Sequence, residues 1–61
     1  MEQATAQAVA NKLNDDSRIE SAEVARNDKG ILVEARAVDQ MAARDIKGEL
    51  HEFPVYVEVS A

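Results

Sequence analysis

The residues of this chain that could support catalysis or metal binding are few, and the first is His51. It is the single histidine, and Glu49 and Glu52 lie on either side of it, a composition that suits a general base or half of a metal site. Neighbours at a helix end point in different directions, however, and a cation in the last turn favours the helix dipole. We therefore expect His51 to be a solvated helix-terminal side chain and predict no metal site.

Paired carboxylates are the second candidate for chemistry. They occur at residues 15–16 and, across a predicted hairpin, at Glu23 and Glu34. Such pairs act as acid and base when a cleft shifts their pKa values apart, and a chain of 61 residues has little room for a cleft. Because Arg26 or Arg36 lies nearby, we expect ordinary cross-strand charge pairing instead.

Nucleophilic and phosphate-binding motifs complete the search. The sequence has no cysteine, and its few serine and threonine residues lie outside any elbow-like motif. Neither Gly30 nor Gly48 belongs to a loop that would place several backbone amides around one anion. The sequence therefore predicts that the protein is not an enzyme and that it uses no cofactor.

Length and charge set the broad class. Sixty-one residues make a single small domain, which we take as residues 1–61. Twelve acidic and seven basic residues give a net charge of -5, which opposes the phosphate neutralisation required for nucleic-acid binding. No apolar run is long enough to span a membrane, and the lack of cysteine fits a reducing compartment. We expect a cytoplasmic protein with no nucleic-acid partner and no membrane partner.

Two periods of apolar residues define the elements that must position any site. A spacing of three and four residues predicts helices, and alternation predicts strands. Asp39 is suited to be the N-cap of the second helix, and Asn27 to Gly30 to be a hairpin turn. The predicted elements are helix 3–13, strand 19–26, strand 31–38, helix 40–50 and strand 55–59.

The predicted fold class is α+β, a two-layer sandwich with the order α-β-β-α-β and both helices on one face of a three-stranded sheet. A right-handed crossover makes the second and third strands parallel. Two arrangements stay open, because the third strand could lie beside the first or beside the second. Residues Val33 and Val57 are expected on the covered face, as are Val55 and Val59, with Met41 or Ala42 in the buried stripe of the second helix.

The other face of the sheet is the predicted interaction surface. Leu32 and Tyr56 are expected there as apolar anchors, and Glu34 and Arg36 as charged residues that set the orientation of a partner. The same face would also carry Val38. An exposed edge strand is a second opening, since it can accept a strand from a partner.

The order of elements resembles that of several small modules. These are the type II KH domain, the ring-building modules of secretion and sporulation machinery, and the cytoplasmic domain of cation diffusion facilitators. The KH domain has a Gly-x-x-Gly loop, and the segment Ile46-Lys47-Gly48-Glu49 of this chain has one of its two glycines. Facilitator domains bind metal through histidines, and His51 is the only histidine available here for that purpose. The resemblance implies the α+β sandwich and, as one alternative function, a KH-like or metal-linked regulatory domain.

The function expected from these observations is a non-catalytic module for protein–protein interaction or self-assembly, acting through the open sheet face or an edge strand. Its partner would be another protein or a second copy of the chain. The main alternative is an acidic decoy that mimics nucleic acid and blocks a basic protein surface.

Overall fold

The computed structural model describes residues 1–60, and its elements follow the predicted order α-β-β-α-β. Each boundary lies within one residue of its predicted position. Because the apolar periods change so clearly along the chain, the sequence alone locates every helix and strand. The elements are α1 (Gln3–Asn14), β1 (Ile19–Asn27), β2 (Gly30–Ala37), α2 (Gln40–Glu49) and β3 (Val55–Val59).

The three strands form one mixed sheet in the order β1-β2-β3. Strand β1 pairs antiparallel with β2, and β3 pairs parallel with β2 on its other side. Of the two arrangements that the sequence left open, the structure has the one in which β3 lies beside β2. The central strand is therefore β2, and both β1 and β3 have an outer edge.

Both helices lie on the same face of the sheet. Helix α1 contacts β1 and β2, whereas α2 contacts β3 and β2. The alternation predicted for the sheet is confirmed, because Val33 and Val57 are 0% and 5% exposed beneath the helices while Glu34 and Arg36 on the opposite face are exposed. The fold is the predicted two-layer sandwich, with one face of the sheet uncovered.

The core is small and rich in alanine. Ile46 and Val33 are its largest fully buried side chains. Alanines on the facing surfaces let the helices approach the sheet closely, but each contributes little apolar area, so the stabilisation from burial is modest. The buried residues are Ala6, Ala10, Leu13, Ile19, Val33, Ala35, Ala37, Ala42, Ala43, Ile46 and Val57.

Local interactions fix where the elements begin and turn. The Asp39 carboxylate accepts a hydrogen bond from the Ala42 amide at 2.7 Å, as predicted for the N-cap of α2. In the hairpin, the Asn27 side chain accepts from the Lys29 amide at 2.8 Å, and Gly30 takes a φ of +127° that a residue with a Cβ rarely adopts. The predicted turn chemistry thus explains the β1–β2 connection.

Of the two residues considered for the buried stripe of α2, the structure has Ala42 buried, together with Ala43, while Met41 is 73% exposed. One detail differs from the predicted pattern. Val59 was expected to be buried with Val57, but it is 41% exposed because it is the last residue of β3, the outermost strand.

Candidate interaction surfaces

The four predicted partner-binding residues lie together on the uncovered face of the sheet, which we call the open face. Leu32, Glu34 and Arg36 alternate along β2 with the buried Val33, Ala35 and Ala37, and Tyr56 lies on β3. Glu34 and Tyr56 are direct neighbours across the β2–β3 pair. Period-two alternation is sufficient to place these side chains on one face.

Tyr56 is the more exposed of the two predicted anchors on this face, at 62%. Leu32, on the central strand, is half-buried. Val38, also expected here, follows the end of β2 and is 48% exposed. An aromatic ring with a polar hydroxyl at its tip can contact both apolar and polar groups of a partner.

The centre of the open face is a shallow depression rather than a cleft. Its volume is about 140 Å³, and polar groups make up most of its wall. The lining residues are Ser21, Glu23, Glu34, Ala35, Arg36, Tyr56 and Glu58. A depression of this size fits single side chains of a partner better than a whole small-molecule ligand, for which pockets of about 300 Å³ or more are usual.

The charges of the open face are unbalanced. Glu23 on β1 lies directly opposite Glu34 on β2, an arrangement of like charges that is destabilising. The predicted pairing with an arginine is not formed: within residues 1–60, every ion pair with an N–O distance of 4 Å or less involves Arg18. Arg26 instead donates a hydrogen bond to Gln3, at 3.3 Å.

Arg18 forms an ion-pair cluster that the sequence did not reveal. Its guanidinium lies 2.6 Å from a carboxylate oxygen of Asp16 and 2.6 Å from one of Glu49, so it links the α1–β1 connection to the end of α2. The spacing of Asp16 and Arg18 in the sequence is typical of a local turn interaction. The contact between Arg18 and Glu49 has no such signal, since 31 positions separate these two residues.

This cluster shifts the pKa values of its members. The hydrogen bonds from the Arg18 side chain and backbone lower the pKa of Asp16 to about 2, and the Arg18 side chain also lowers the pKa of Glu49. The same hydrogen bonds, first from Asp16 and then from Glu49, raise the pKa of Arg18. All three groups stay charged near neutral pH, which suits an electrostatic link between elements rather than proton transfer.

His51 lies where the sequence placed it, just beyond the end of α2. Its Nδ1 is 3.0 Å from the carbonyl oxygen of Gly48, within one turn of the chain. The neighbouring Glu49 is turned away to Arg18. In the part of the chain that the structure describes, no group of three or more His, Cys, Asp or Glu residues could hold a metal ion.

A second surface, a cleft between the two helices, was not predicted. Its volume is about 230 Å³, and most of its wall is apolar. Leu50 and Phe53, which follow the end of α2, form one side of this cleft. Val9 of α1 lies on the other side. Helical periodicity identifies the buried residues of each helix but not the distance between the helices, so this cleft has no signal in the sequence.

Comparisons with protein-family models, with curated proteins and with solved structures find no match to this chain. Neither α1 nor α2, the helices of residues 1–60, is long and apolar enough to cross a membrane.

Proposed function

We propose that this protein is a small non-catalytic interaction module that binds a protein partner through the open face. The observation that carries the proposal is the position of Tyr56, 62% exposed beside the opposed carboxylates of Glu23 and Glu34. An exposed aromatic residue next to unneutralised charge combines an apolar anchor with a group that selects its partner.

The chemistry of the partner follows from the charges of this face. Glu23, Glu34 and Glu58 outnumber Arg36, so the face favours a surface that brings a cationic side chain together with apolar ones. A lysine or arginine placed between Glu23 and Glu34 would relieve the repulsion between the two carboxylates. Binding would thereby gain an interaction that the free protein lacks.

Each predicted residue has a defined part in this binding. Tyr56 and Leu32 supply apolar contact area, on adjacent strands. Glu34, which lies between Glu23 and Tyr56, would accept hydrogen bonds from the cationic group of the partner. Arg36, whose neighbours are Ser21 and Glu58, would exclude a second cation and thus fix the orientation of the partner.

The distribution of carboxylates supports this proposal over an acidic decoy. A decoy needs most of the twelve acidic residues on one surface. Three of them lie on the open face, at Glu23, Glu34 and Glu58. Asp16 and Glu49 belong instead to the Arg18 cluster at the helix layer, where both carboxylates pair with the same guanidinium.

The binding experiment uses a defined probe, a short peptide of alternating lysine and leucine, with an acidic peptide of equal length as its control. In amide NMR spectra of the whole chain, we expect the basic peptide to shift signals of Glu34 and Tyr56 and the acidic peptide to shift none. Added salt should weaken binding. Shifts spread over all acidic residues would indicate non-specific attraction and contradict the proposal.

Variants separate binding from folding. Tyr56→Ala combined with Leu32→Glu should abolish association while the far-ultraviolet circular dichroism stays unchanged. Met41→Ala is the matched control, because Met41 is an exposed apolar residue of α2 away from the open face. Equal peptide binding by the wild type and the double variant would refute the proposal.

The opposed carboxylates give a second test. Glu34→Gln removes the like-charge pair with Glu23, so it should raise the free energy of unfolding by a few tenths of a kcal/mol. The same change should weaken binding of the basic peptide several-fold, because an acceptor for the cation is lost. A variant that binds equally well would show that Glu34 has no part in recognition, and a variant less stable than the wild type would show that the two carboxylates do not repel each other.

A further inference from the structure

The outer edge of β3 presents unpaired backbone groups. Pro54 accepts a hydrogen bond from the Val33 amide, and Ser60 donates one to the Ala37 carbonyl, so the even-numbered residues of β3 turn their backbone groups toward β2. Val57 and Val59 therefore turn their N–H and C=O groups away from the sheet. No described residue of the chain pairs with them.

The opposite edge of the sheet, on β1, is covered at Ala22. The Asn14 side chain accepts from the Ala22 amide at 2.8 Å and donates to the Ala22 carbonyl at 2.9 Å, so it occupies the outward backbone groups of that residue. The pairing of β1 is also irregular between Ile19 and Ser21. Side-chain cover and bulges are two ways in which proteins protect an edge from further pairing, and β3 has neither.

A groove lined by both apolar and polar side chains follows the β3 edge. Its volume is about 300 Å³, and it is lined by Lys47, Leu50, His51, Phe53, Val55, Tyr56 and Val57. None of these residues is a carboxylate, although the chain as a whole is acidic. At the other end of the strand, Val59 points to the helix layer but is 41% exposed. The groove and the exposed valine have no partner among residues 1–60.

We propose that a second copy of this chain pairs antiparallel with β3 along this edge, about a two-fold axis at Val57. In this register Val57 faces Val57 of the second copy, and the outward backbone groups of both residues form hydrogen bonds with each other. Tyr56 then lies opposite Glu58 of the second copy, and Val55 lies opposite Val59. The strand is thus complementary to itself.

Neighbouring registers are less favourable. Centring the pair on Glu58 would place two carboxylates directly opposite each other, which is destabilising. Centring it on Tyr56 would place Val59 opposite Phe53, which lies outside β3, so the paired segment would be shorter. The register at Val57 avoids both penalties, so charge and strand length select the same arrangement.

The two-fold pairing also fills the groove. Val59 of the second copy comes beside Val55, at the apolar end lined by Leu50 and Phe53. Because α2 packs over both β2 and β3, a strand spacing of about 4.8 Å would bring the two α2 helices to about 10 Å apart. This is the usual packing distance of helices, so the helix layers could meet without a gap.

This inference goes beyond the proposed function, since it adds an interface of the chain with itself and leaves the open face free. The joined sheets would carry two open faces side by side. Leu32 lies on the central strand, away from the β3 edge. Leu32→Glu should therefore impair peptide binding and leave the dimer intact, so the two proposals can fail separately.

Disulfide cross-linking tests the register directly, because the chain has no native cysteine. Tyr56 and Glu58 of opposite copies form a pair without backbone hydrogen bonds, whose Cα atoms are about 4.5 Å apart, within reach of a disulfide. We expect a mixture of Tyr56→Cys and Glu58→Cys chains to form cross-linked dimers on mild oxidation, and each variant alone to form few. Efficient cross-linking of Glu58→Cys alone, or none in the mixture, would overturn the proposal.

Sedimentation tests the edge independently. Val59→Pro removes an outward N–H and no hydrogen bond to β2, and Val59→Thr is the matched control that retains the N–H and the branched side chain. At about 100 µM we expect dimers of the wild type and the threonine variant, and a folded monomer for the proline variant. A monomeric wild type, or a dimeric proline variant, would refute pairing through β3.

Discussion

At the scale of single residues, Arg18 is the side chain with the most far-reaching contacts. It binds Asp16 two residues before it and Glu49 at the end of α2, through charge-assisted hydrogen bonds as short as 2.6 Å. These ion pairs join the α1–β1 connection to the end of α2, two segments that are not joined by strand pairing. Because all three side chains are partly exposed, the contribution of the ion pairs to stability is limited by solvent screening but depends on pH.

The first prediction concerns that pH dependence. The folded-state pKa of Asp16 is about 2 and that of Glu49 is lowered too, so both carboxylates stabilise the fold above their unfolded pKa values, near 4. This stability is lost as the pH falls from about 5 to about 2. Arg18→Gln should therefore flatten the curve of unfolding free energy in that window, as measured by urea denaturation.

The control for this experiment is Arg44→Gln, which removes an exposed arginine of α2 outside the cluster. Its pH profile should follow that of the wild type. The remaining carboxylates contribute equally to all three proteins, so the difference between the curves isolates the cluster. Parallel curves for the wild type and Arg18→Gln would show that the ion pairs do not persist in solution.

The second prediction concerns Asn14, whose amide acts as a substitute for a neighbouring strand at Ala22. Asn14→Ala should lower the free energy of unfolding by about 1 kcal/mol, since two hydrogen bonds are lost at an exposed site. The Ala22 amide should also exchange its hydrogen faster. Asn11→Ala, which removes only a contact within α1 to Gln7, should neither lower the free energy of unfolding nor speed this exchange; equal effects of both substitutions would contradict this role.

At the scale of elements, the two glycines have opposite importance. Gly48 lies in α2, one residue before its end, and a Cβ there would meet no atom within 4 Å. No neighbouring backbone therefore lies close enough to Gly48 to require a glycine at this position of the helix. Gly30, in contrast, has the positive φ of +127° that closes the hairpin.

The third prediction follows from this difference. Gly48→Ala should raise the free energy of unfolding by about 1 kcal/mol, because alanine has the higher helix propensity. Gly30→Ala should lower it by about 1 kcal/mol or more, because alanine disfavours that backbone conformation. Urea denaturation of both variants checks the pair; destabilisation by Gly48→Ala would mean that the end of α2 requires a flexible residue.

The elements were predictable from the sequence because helix and strand periods differ. Val33 and Val57 alternate with exposed residues in any pairing of β3, so the sequence identifies the covered face but not the strand order. The open face was predictable for the same reason. The unpaired state of Glu34 was not predictable, because a long side chain close to Arg36 can adopt several rotamers. Only the structure shows that Glu34 forms no ion pair with any described residue.

At the scale of the whole molecule, the alanine-rich core limits stability. A chain of 61 residues has a free energy of unfolding of about 3 to 9 kcal/mol by the usual value per residue. Because six of its eleven buried core residues are alanines, this protein belongs at the lower end of that range. A partner that binds only the folded chain would then add a substantial fraction of the total stability.

The last prediction combines this limit with pairing through β3. If the folded chain dimerises, each tenfold rise in concentration above the dissociation constant adds about 0.7 kcal/mol per chain to the free energy of unfolding. For a domain of this size, Tm should then rise by about 3 to 6 °C per tenfold step. Calorimetry over two such steps would measure the slope for the wild type and for Val59→Pro.

The proline variant should have a Tm that does not change with concentration, because its folded state is a monomer with one edge blocked. Val59→Thr should keep the slope of the wild type. A Tm of the wild type that is independent of concentration would mean that the small core is sufficient on its own. The exposed Val59 and the groove beside Val55 would then be ordinary surface, and the open face would be the one interaction site proposed for this chain.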